Sequence, residues 1–88
     1  MHERTGGATA DVETVVVAAW TELLGPGSAA PDADFFKIGG DSLRAAELMA
    51  KVSRSLGHRL RFRLIANNRT LSSLVAAIQA ELVVTDQA

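Results

Sequence analysis

The chain has 88 residues, a net charge of −1 and no cysteine, which excludes disulfides and any Cys-ligated metal site. That length suits one small domain, which buries only about 60% of its unfolded surface and needs a simple core. No run approaches the roughly 20 apolar residues of a membrane span, and the opening MHERTGGATADVE has no apolar signal core, so a cytoplasmic protein with no membrane partner is expected.

Residues 1–10 are polar, contain two glycines and show no period, so they read as a disordered lead. Asp11 is placed as a helix N-cap. After it Val12, Val15, Val16, Ala19, Trp20, Leu23 and Leu24 recur at helical spacing, and Gly25 with Pro26 ends the helix near Leu24. The valines alone favour a strand; the length of the run and its i, i+4 spacing decide for helix. Residues 25–40 form a long connection rich in Gly, Pro, Ala and Asp, of a length that is functional or anchored by its own side chains. Phe35, Phe36 and Ile38 supply the anchor, with both phenylalanines read as core filling.

The second helix runs from about Ser42 to Leu56 and is closed by Gly57. Its buried stripe is Ala45, Leu48, Met49, Val52 and Leu56, which turns Leu43, Arg44, Ala46, Glu47, Ala50 and Lys51 outward. Leu43 is an apolar residue displaced from the stripe beside Ser42, which makes it a contact candidate. HRLRFRLIANN alternates like a strand, but a lone strand would leave its backbone groups unpaired. A loop followed by one helical turn near residues 63–67 is expected instead. Thr70 then caps a last helix with Leu71, Leu74, Val75, Ile78 and Leu82 on one face, and residues 83–88 should fray. The fold class is all-α: a bundle of three main helices plus one short one, over residues 11–82.

Charge is unevenly divided. Residues 1–41 hold seven acids against Arg4 and Lys37, whereas residues 42–88 hold seven bases against Glu47, Glu81 and Asp86. The basic half, with Arg54, Arg59, Arg61, Arg63 and Arg69, reads either as a solvated face or as a patch for an anionic partner. His2 and His58 lie far apart, with no metal-ligand spacing.

The chemistry centres on GGDSL. Asp41 and Ser42 sit at the start of the second helix, where either serves as an N-cap. Gly39 and Gly40 are read as clearing side chains from the approach to Ser42. The helix start offers free N–H groups and a partial positive charge, which favour a phosphate ester on Ser42. GDSL also resembles the motif of esterases whose serine opens a catalytic triad. A serine hydrolase needs a base in hydrogen-bond reach, and no histidine follows His58, so a catalytic role is not expected.

DFFKIGGDSL resembles the attachment motif of carrier proteins, of the peptidyl type found in nonribosomal peptide synthesis. AAWTELLG resembles that family's first helix and NNRTLSSLVAAI its last, so the likeness spans nearly the whole expected domain. The resemblance implies a four-helix carrier fold and a non-catalytic protein. It implies that Ser42 receives covalent 4'-phosphopantetheine from coenzyme A through a phosphopantetheinyl transferase, with Asp41 and Gly40 beside it. The reactive sulfur that the sequence lacks would then arrive on the cofactor. By the same resemblance Leu43, Arg44, Ala46 and Glu47 lie on the partner-facing side of the second helix. The short segment from Phe62 to Ala66 is read as the other wall of that interface, as a lid over the core, or as both. Partners would be an adenylation enzyme and condensation or tailoring enzymes, meeting a monomer through a small, transient interface.

The sequence also departs from the family pattern. Lys37 stands where an acid is usual, Ala66 where a bulky aromatic is common, and Arg69 where proline usually precedes the capping Thr70. The second helix carries Arg44, Lys51 and Arg54 against Glu47, unlike the acidic helix of fatty-acid carriers, which favours the peptidyl subtype. The initial Met1 and short tails suggest a free-standing protein, with an excised domain of a larger synthetase as the alternative. Two other readings stand beside it: an acyl carrier for polyketide or aryl units, and a helical interaction module using the basic patch. No recognition-helix pattern points to nucleic acid.

Overall fold

The computed structural model describes the backbone of residues 3–87 and the side chains of residues 12–83. It contains four helices: α1 (Glu3–Leu24), α2 (Ser42–Leu56), α3 (Phe62–Asn67) and α4 (Leu71–Gln87). α1 packs against α2 and α4, and the short α3 bridges α2 to α4. Among the described residues there is no strand, only an isolated antiparallel bridge between Asp34 and Thr70. No helix is long and apolar enough to cross a membrane.

The core follows the apolar stripes. Val12, Val16, Ala19 and Trp20 of α1 meet Ala45, Leu48, Met49 and Val52 of α2, and Leu71, Leu74, Val75 and Ile78 of α4 complete the interior. Leu60 and Ile65 close it from the α3 side. Leu56, expected in the stripe of α2, is half-buried at its end. Gly25 ends α1 at φ 103°, and Gly57 ends α2 in the left-handed region at φ 66°. Its N–H and that of His58 donate to carbonyls of the last turn, as a glycine C-cap does.

Two ends differ from expectation. Asp11, read as an N-cap, lies inside α1, because the helix begins at Glu3 rather than after a disordered lead. Neither Gly6 nor Gly7 favours that extension. α4 is continuous to Gln87, where fraying from residue 83 was anticipated. Met1, His2 and Ala88 lie outside the described residues, so those parts of the expected lead and tail do too.

The connection between α1 and α2 is held to the start of α4. Leu71 N–H donates to the Ala33 carbonyl (3.1 Å), Ser72 N–H to the Pro31 carbonyl (2.9 Å), and Phe35 N–H to the Arg69 carbonyl (2.8 Å). Thr70 Oγ1 accepts from Ser73 N–H at 3.3 Å, the expected cap. A helix start leaves its first N–H groups without intrahelical partners; here the loop supplies acceptors for α4 and is fixed by doing so.

One aromatic plug fills the space under this loop. Phe35 is fully buried, packed edge-on against Trp20 with ring centroids 5.1 Å apart. Trp20 satisfies its indole by donating Nε1–H to the Ser28 carbonyl (3.0 Å). The expectation that both phenylalanines fill the core is corrected: Phe36 is half-buried at the loop surface. Ile38, expected as a third anchor, is 42% exposed. Residues 35–39 form a tight turn closed by Lys37 and Ile38 N–H donating to the Asp34 carbonyl (3.0 and 3.1 Å), and in it Phe35 takes the seat beside Trp20.

Candidate functional site

Asp41 is the N-cap of α2, in extended conformation at φ −137°. Its Oδ1 accepts from Arg44 N–H at 2.8 Å, while its carbonyl accepts from Ala45 N–H at 2.8 Å. Arg44 returns over it as an ion pair, Nη1 to Oδ2 at 3.9 Å, between two exposed side chains. The capping bond carries the stability and the ion pair adds little. Asp41→Ala is expected to cost about 1 kcal/mol, read from the urea midpoint, with Asp41→Asn retaining most of it. An unchanged midpoint in the alanine variant would mean that the 2.8 Å contact does no capping.

With Asp41 as cap, Ser42 is the first helical residue. It is exposed, and its hydroxyl makes no hydrogen bond to the described residues. The N–H groups of Ser42 and Leu43 likewise have no partner there. The contrast with α4 is physical: the loop covers the start of α4, whereas the start of α2 is open to an incoming group.

The two glycines before it do different work, and neither does the expected one. Gly39 adopts φ 123° with open space where a Cβ would stand, so it is needed for its backbone conformation. A Cβ at Gly40 would point into the Phe35 ring and within 2.6 Å of the Phe35 carbonyl oxygen. Gly40 N–H also donates to that carbonyl at 2.9 Å. Gly40 thus permits the close packing of the loop on Phe35 rather than clearing the approach to Ser42. Gly40→Val is expected to lower stability by about 1–3 kcal/mol through overpacking, seen as a shifted urea midpoint. A midpoint equal to the parent's would restore the approach-clearing role.

Ser42 opens onto a shallow groove of about 330 Å³, lined by Phe36, Ser42, Phe62, Ala66 and Arg69. The groove joins the start of α2, the body of α3 and the loop before α4. Of its lining, Ser42 and Phe62 were expected site residues. Phe36 is expected in the core, Ala66 at the end of the wall that starts at Phe62, and Arg69 in the basic half. The link that places Arg69 here is long-range. Its Nε lies 3.4 Å from Asp34 Oδ1, and its guanidinium carbon lies 5.0 Å from the centroid of the Phe36 ring. No local sequence signal announces such a pairing.

The expected partner-facing residues are on the surface. Leu43 is 71% exposed, Arg44, Ala46 and Glu47 are exposed on the same helix, and Phe62 is 43% exposed at the start of α3. Leu43 follows Ser42 in the chain, and Phe62 shares its groove with Phe36 and Ala66, so apolar side chains flank the hydroxyl. The basic half is partly paired: Lys51 bridges to Glu22 at 3.3 Å and Arg69 to Asp34. Arg59, Arg61 and Arg63 are exposed and enter no ion pair with the described residues.

Comparison with known proteins matches residues 14–78 to the phosphopantetheine attachment site family. The chain is 40% identical over 73 residues to phosphinothricin tripeptide synthetase PhsC of Streptomyces viridochromogenes, covering 80% of this chain and 6% of that protein. It is 38% identical over 69 residues to enterobactin synthase component F of Escherichia coli, covering 78% of this chain and 5% of that one. The chain therefore spans a small fraction of these curated relatives. Among solved structures it resembles BlmI, a type-II acyl-carrier-protein of Streptomyces verticillus involved in bleomycin biosynthesis. That match has a TM-score of 0.76 and 30% identity, over 91% of this chain and 94% of that one.

Proposed function

The chain belongs to the phosphopantetheine attachment site family, and on that footing we propose that it is a peptidyl or aminoacyl carrier whose covalent 4'-phosphopantetheine is borne by Ser42. The observation that carries the assignment of Ser42 is its setting. It is an exposed first-turn hydroxyl that, with the N–H groups of Ser42 and Leu43, has no hydrogen-bond partner among the described residues and opens onto a groove. These residues fit the group: the phosphate would meet open helix N–H donors, and the first part of the arm would lie against Phe36, Phe62 and Ala66.

When bound, the group supplies a terminal thiol on which cargo travels as a thioester. This chain's own residues hold and present it. In the attachment step the Ser42 hydroxyl loses its proton to the modifying enzyme. Its oxygen bonds to phosphorus while the pyrophosphate link of coenzyme A breaks, releasing adenosine bisphosphate. Asp41 fixes the start of α2, so the anchor stands on a rigid element. Among the described residues no side-chain base hydrogen-bonds to the Ser42 hydroxyl, and a carrier needs none.

The surface formed by Leu43, Arg44, Ala46, Glu47 and Phe62 is the proposed meeting place for a phosphopantetheinyl transferase, an adenylation enzyme and condensation or tailoring enzymes in turn. The likeness of this chain to segments of peptide synthetases supports amino-acid cargo. So does the basic balance of α2, with Arg44, Lys51 and Arg54 against Glu47. The likeness to a type-II carrier supports the carrier role; a monomeric, cytoplasmic carrier with its domain over residues 11–82 is proposed with it.

The test is direct. The purified protein is incubated with coenzyme A and a broad-specificity phosphopantetheinyl transferase, and its intact mass is recorded. A gain of one phosphopantetheinyl group is expected; a folded sample that gains nothing overturns the proposal. Loading the product from a panel of amino-acid- and aryl-activating enzymes then decides the cargo class, and acceptance of aryl units alone would replace the peptidyl assignment.

A further inference from the structure

Arg69 is the single charged residue lining the groove onto which Ser42 opens; Phe36, Phe62 and Ala66 line the rest. Its backbone is fixed, because its carbonyl accepts from Phe35 N–H at 2.8 Å and the next residue, Thr70, is bridged to Asp34. Its side chain is aimed from two directions. Asp34 Oδ1, itself held by Phe36 N–H (2.9 Å) and Lys37 N–H (3.3 Å), sits 3.4 Å from Nε. The Phe36 ring lies under the guanidinium at 5.0 Å. These contacts engage Nε and one face of the plane. Asp34 and the Phe36 ring are the partners recorded for this side chain among the described residues, and the recorded ion pair is through Nε.

We propose that Arg69 is an anion-binding residue whose free guanidinium edge takes the phosphodiester of a modified Ser42 and draws the root of the arm into the groove beside α3. The inference rests on Ser42 being the attachment residue. A guanidinium offers five N–H donors in a planar fork, and its outer edge matches two phosphate oxygens. Using Nε for Asp34 leaves that edge whole. The site has need of a cation: Asp41 already places a carboxylate beside Ser42, and Arg44 pairs with it only loosely at 3.9 Å. A phosphodiester there adds a second permanent negative charge. Arg69 answers it from the other wall of the groove, and the small Ala66 leaves room for the arm to pass between Phe62 and Arg69.

An arm held at its root sweeps a smaller volume than one swinging freely from a helix tip. It also leaves the groove toward a defined side, which bears on how partners find its end. The contact is half-exposed, so salt should weaken it.

The experiment compares unmodified and modified parent by ¹⁵N NMR of arginine side chains, and modified parent with modified Arg69→Gln and Arg69→Lys by ³¹P NMR. On modification of the parent, the Arg69 Nε–H signal is expected to move. At low salt the parent's phosphodiester resonance is expected to stand apart from that of Arg69→Gln, and to converge on it as salt is raised. Arg69→Lys should fall between them, because it restores the charge without the planar fork. An Arg69 signal unmoved by modification overturns the inference, as do identical phosphorus resonances in parent and Arg69→Gln at low salt. The comparison within the parent needs no variant, so a poorly folded substitution does not decide the outcome. Intact mass separates the two levels: no mass gain overturns the Ser42 assignment and this inference with it, whereas a normal gain with unmoved signals overturns this inference alone.

Discussion

Ser42→Ala is expected to fold as the parent does and to gain no mass from coenzyme A and a phosphopantetheinyl transferase. The two halves of that expectation have separate causes. The hydroxyl is exposed and makes no hydrogen bond to the described residues, so its removal should change stability by no more than about 0.5 kcal/mol. Alanine is also the better helix former at an exposed position. The complete loss of modification follows from the placement of the other hydroxyls. Ser28 Oγ donates to the Gly25 carbonyl, Ser53 Oγ accepts from Leu60 N–H, and Thr70 and Ser73 bond to each other and to backbone. Ser55 and Ser72 are exposed, but Ser55 lies near the far end of α2 and the N–H of Ser72 is taken by Pro31. Among the described side chains, only Ser42 combines a free hydroxyl, an open helix start and the groove. Thermal melts and intact mass check both halves. A Ser42→Ala protein that still gains the group would move the attachment point elsewhere, and one that unfolds would give the hydroxyl a structural task.

Much of this site was legible before the fold was known, because it depends on local chemistry. Asp before a helical run specifies a cap, and a glycine after the last apolar position specifies a left-handed end; Asp41 and Gly57 do both. The periodic stripes of α1, α2 and α4 located the core, since a period of 3.6 leaves one face to bury. The alternating HRLRFRLIANN segment was resolved correctly as a short helix, Phe62–Asn67, by asking where a lone strand would send its hydrogen bonds.

What the sequence concealed lies where no period operates. In the loop, Phe35 and Phe36 are interchangeable as a pattern; only the seat beside Trp20 decides that Phe35 is the plug and Phe36 a groove wall. Gly39 and Gly40 look alike, yet one serves a backbone angle and the other makes way for a ring. Arg69 reads as one more surface base until Asp34, far off in the chain, fixes its direction. The start of α1 escaped for another reason: a helix end is set by capping geometry, and a plausible cap such as Asp11 inside a helix looks the same as one at its edge.

Phe35→Ala is expected to be the most damaging core substitution near the site, at about 3–5 kcal/mol. Against a total stability of roughly 5–15 kcal/mol for a domain, that is a large share. It corresponds to a fall in melting temperature of about 12 °C or more for a chain of this size. The ring is fully buried and edge-packed on both Trp20 (5.1 Å) and Phe36 (5.5 Å), so its loss opens a cavity and removes two aromatic contacts. It also removes half of what forbids a side chain at Gly40. The two positions should therefore couple. Gly40→Ala should cost clearly less in the Phe35→Ala background than in the parent, yet not nothing, because the Phe35 carbonyl oxygen would still lie 2.6 Å from the added carbon. A double-mutant cycle in urea measures this directly. Costs that add within about 0.5 kcal/mol would separate the two residues. A Phe35→Ala loss below about 1 kcal/mol would mean the loop before Ser42 is held by its backbone bonds to α4 and not by its plug.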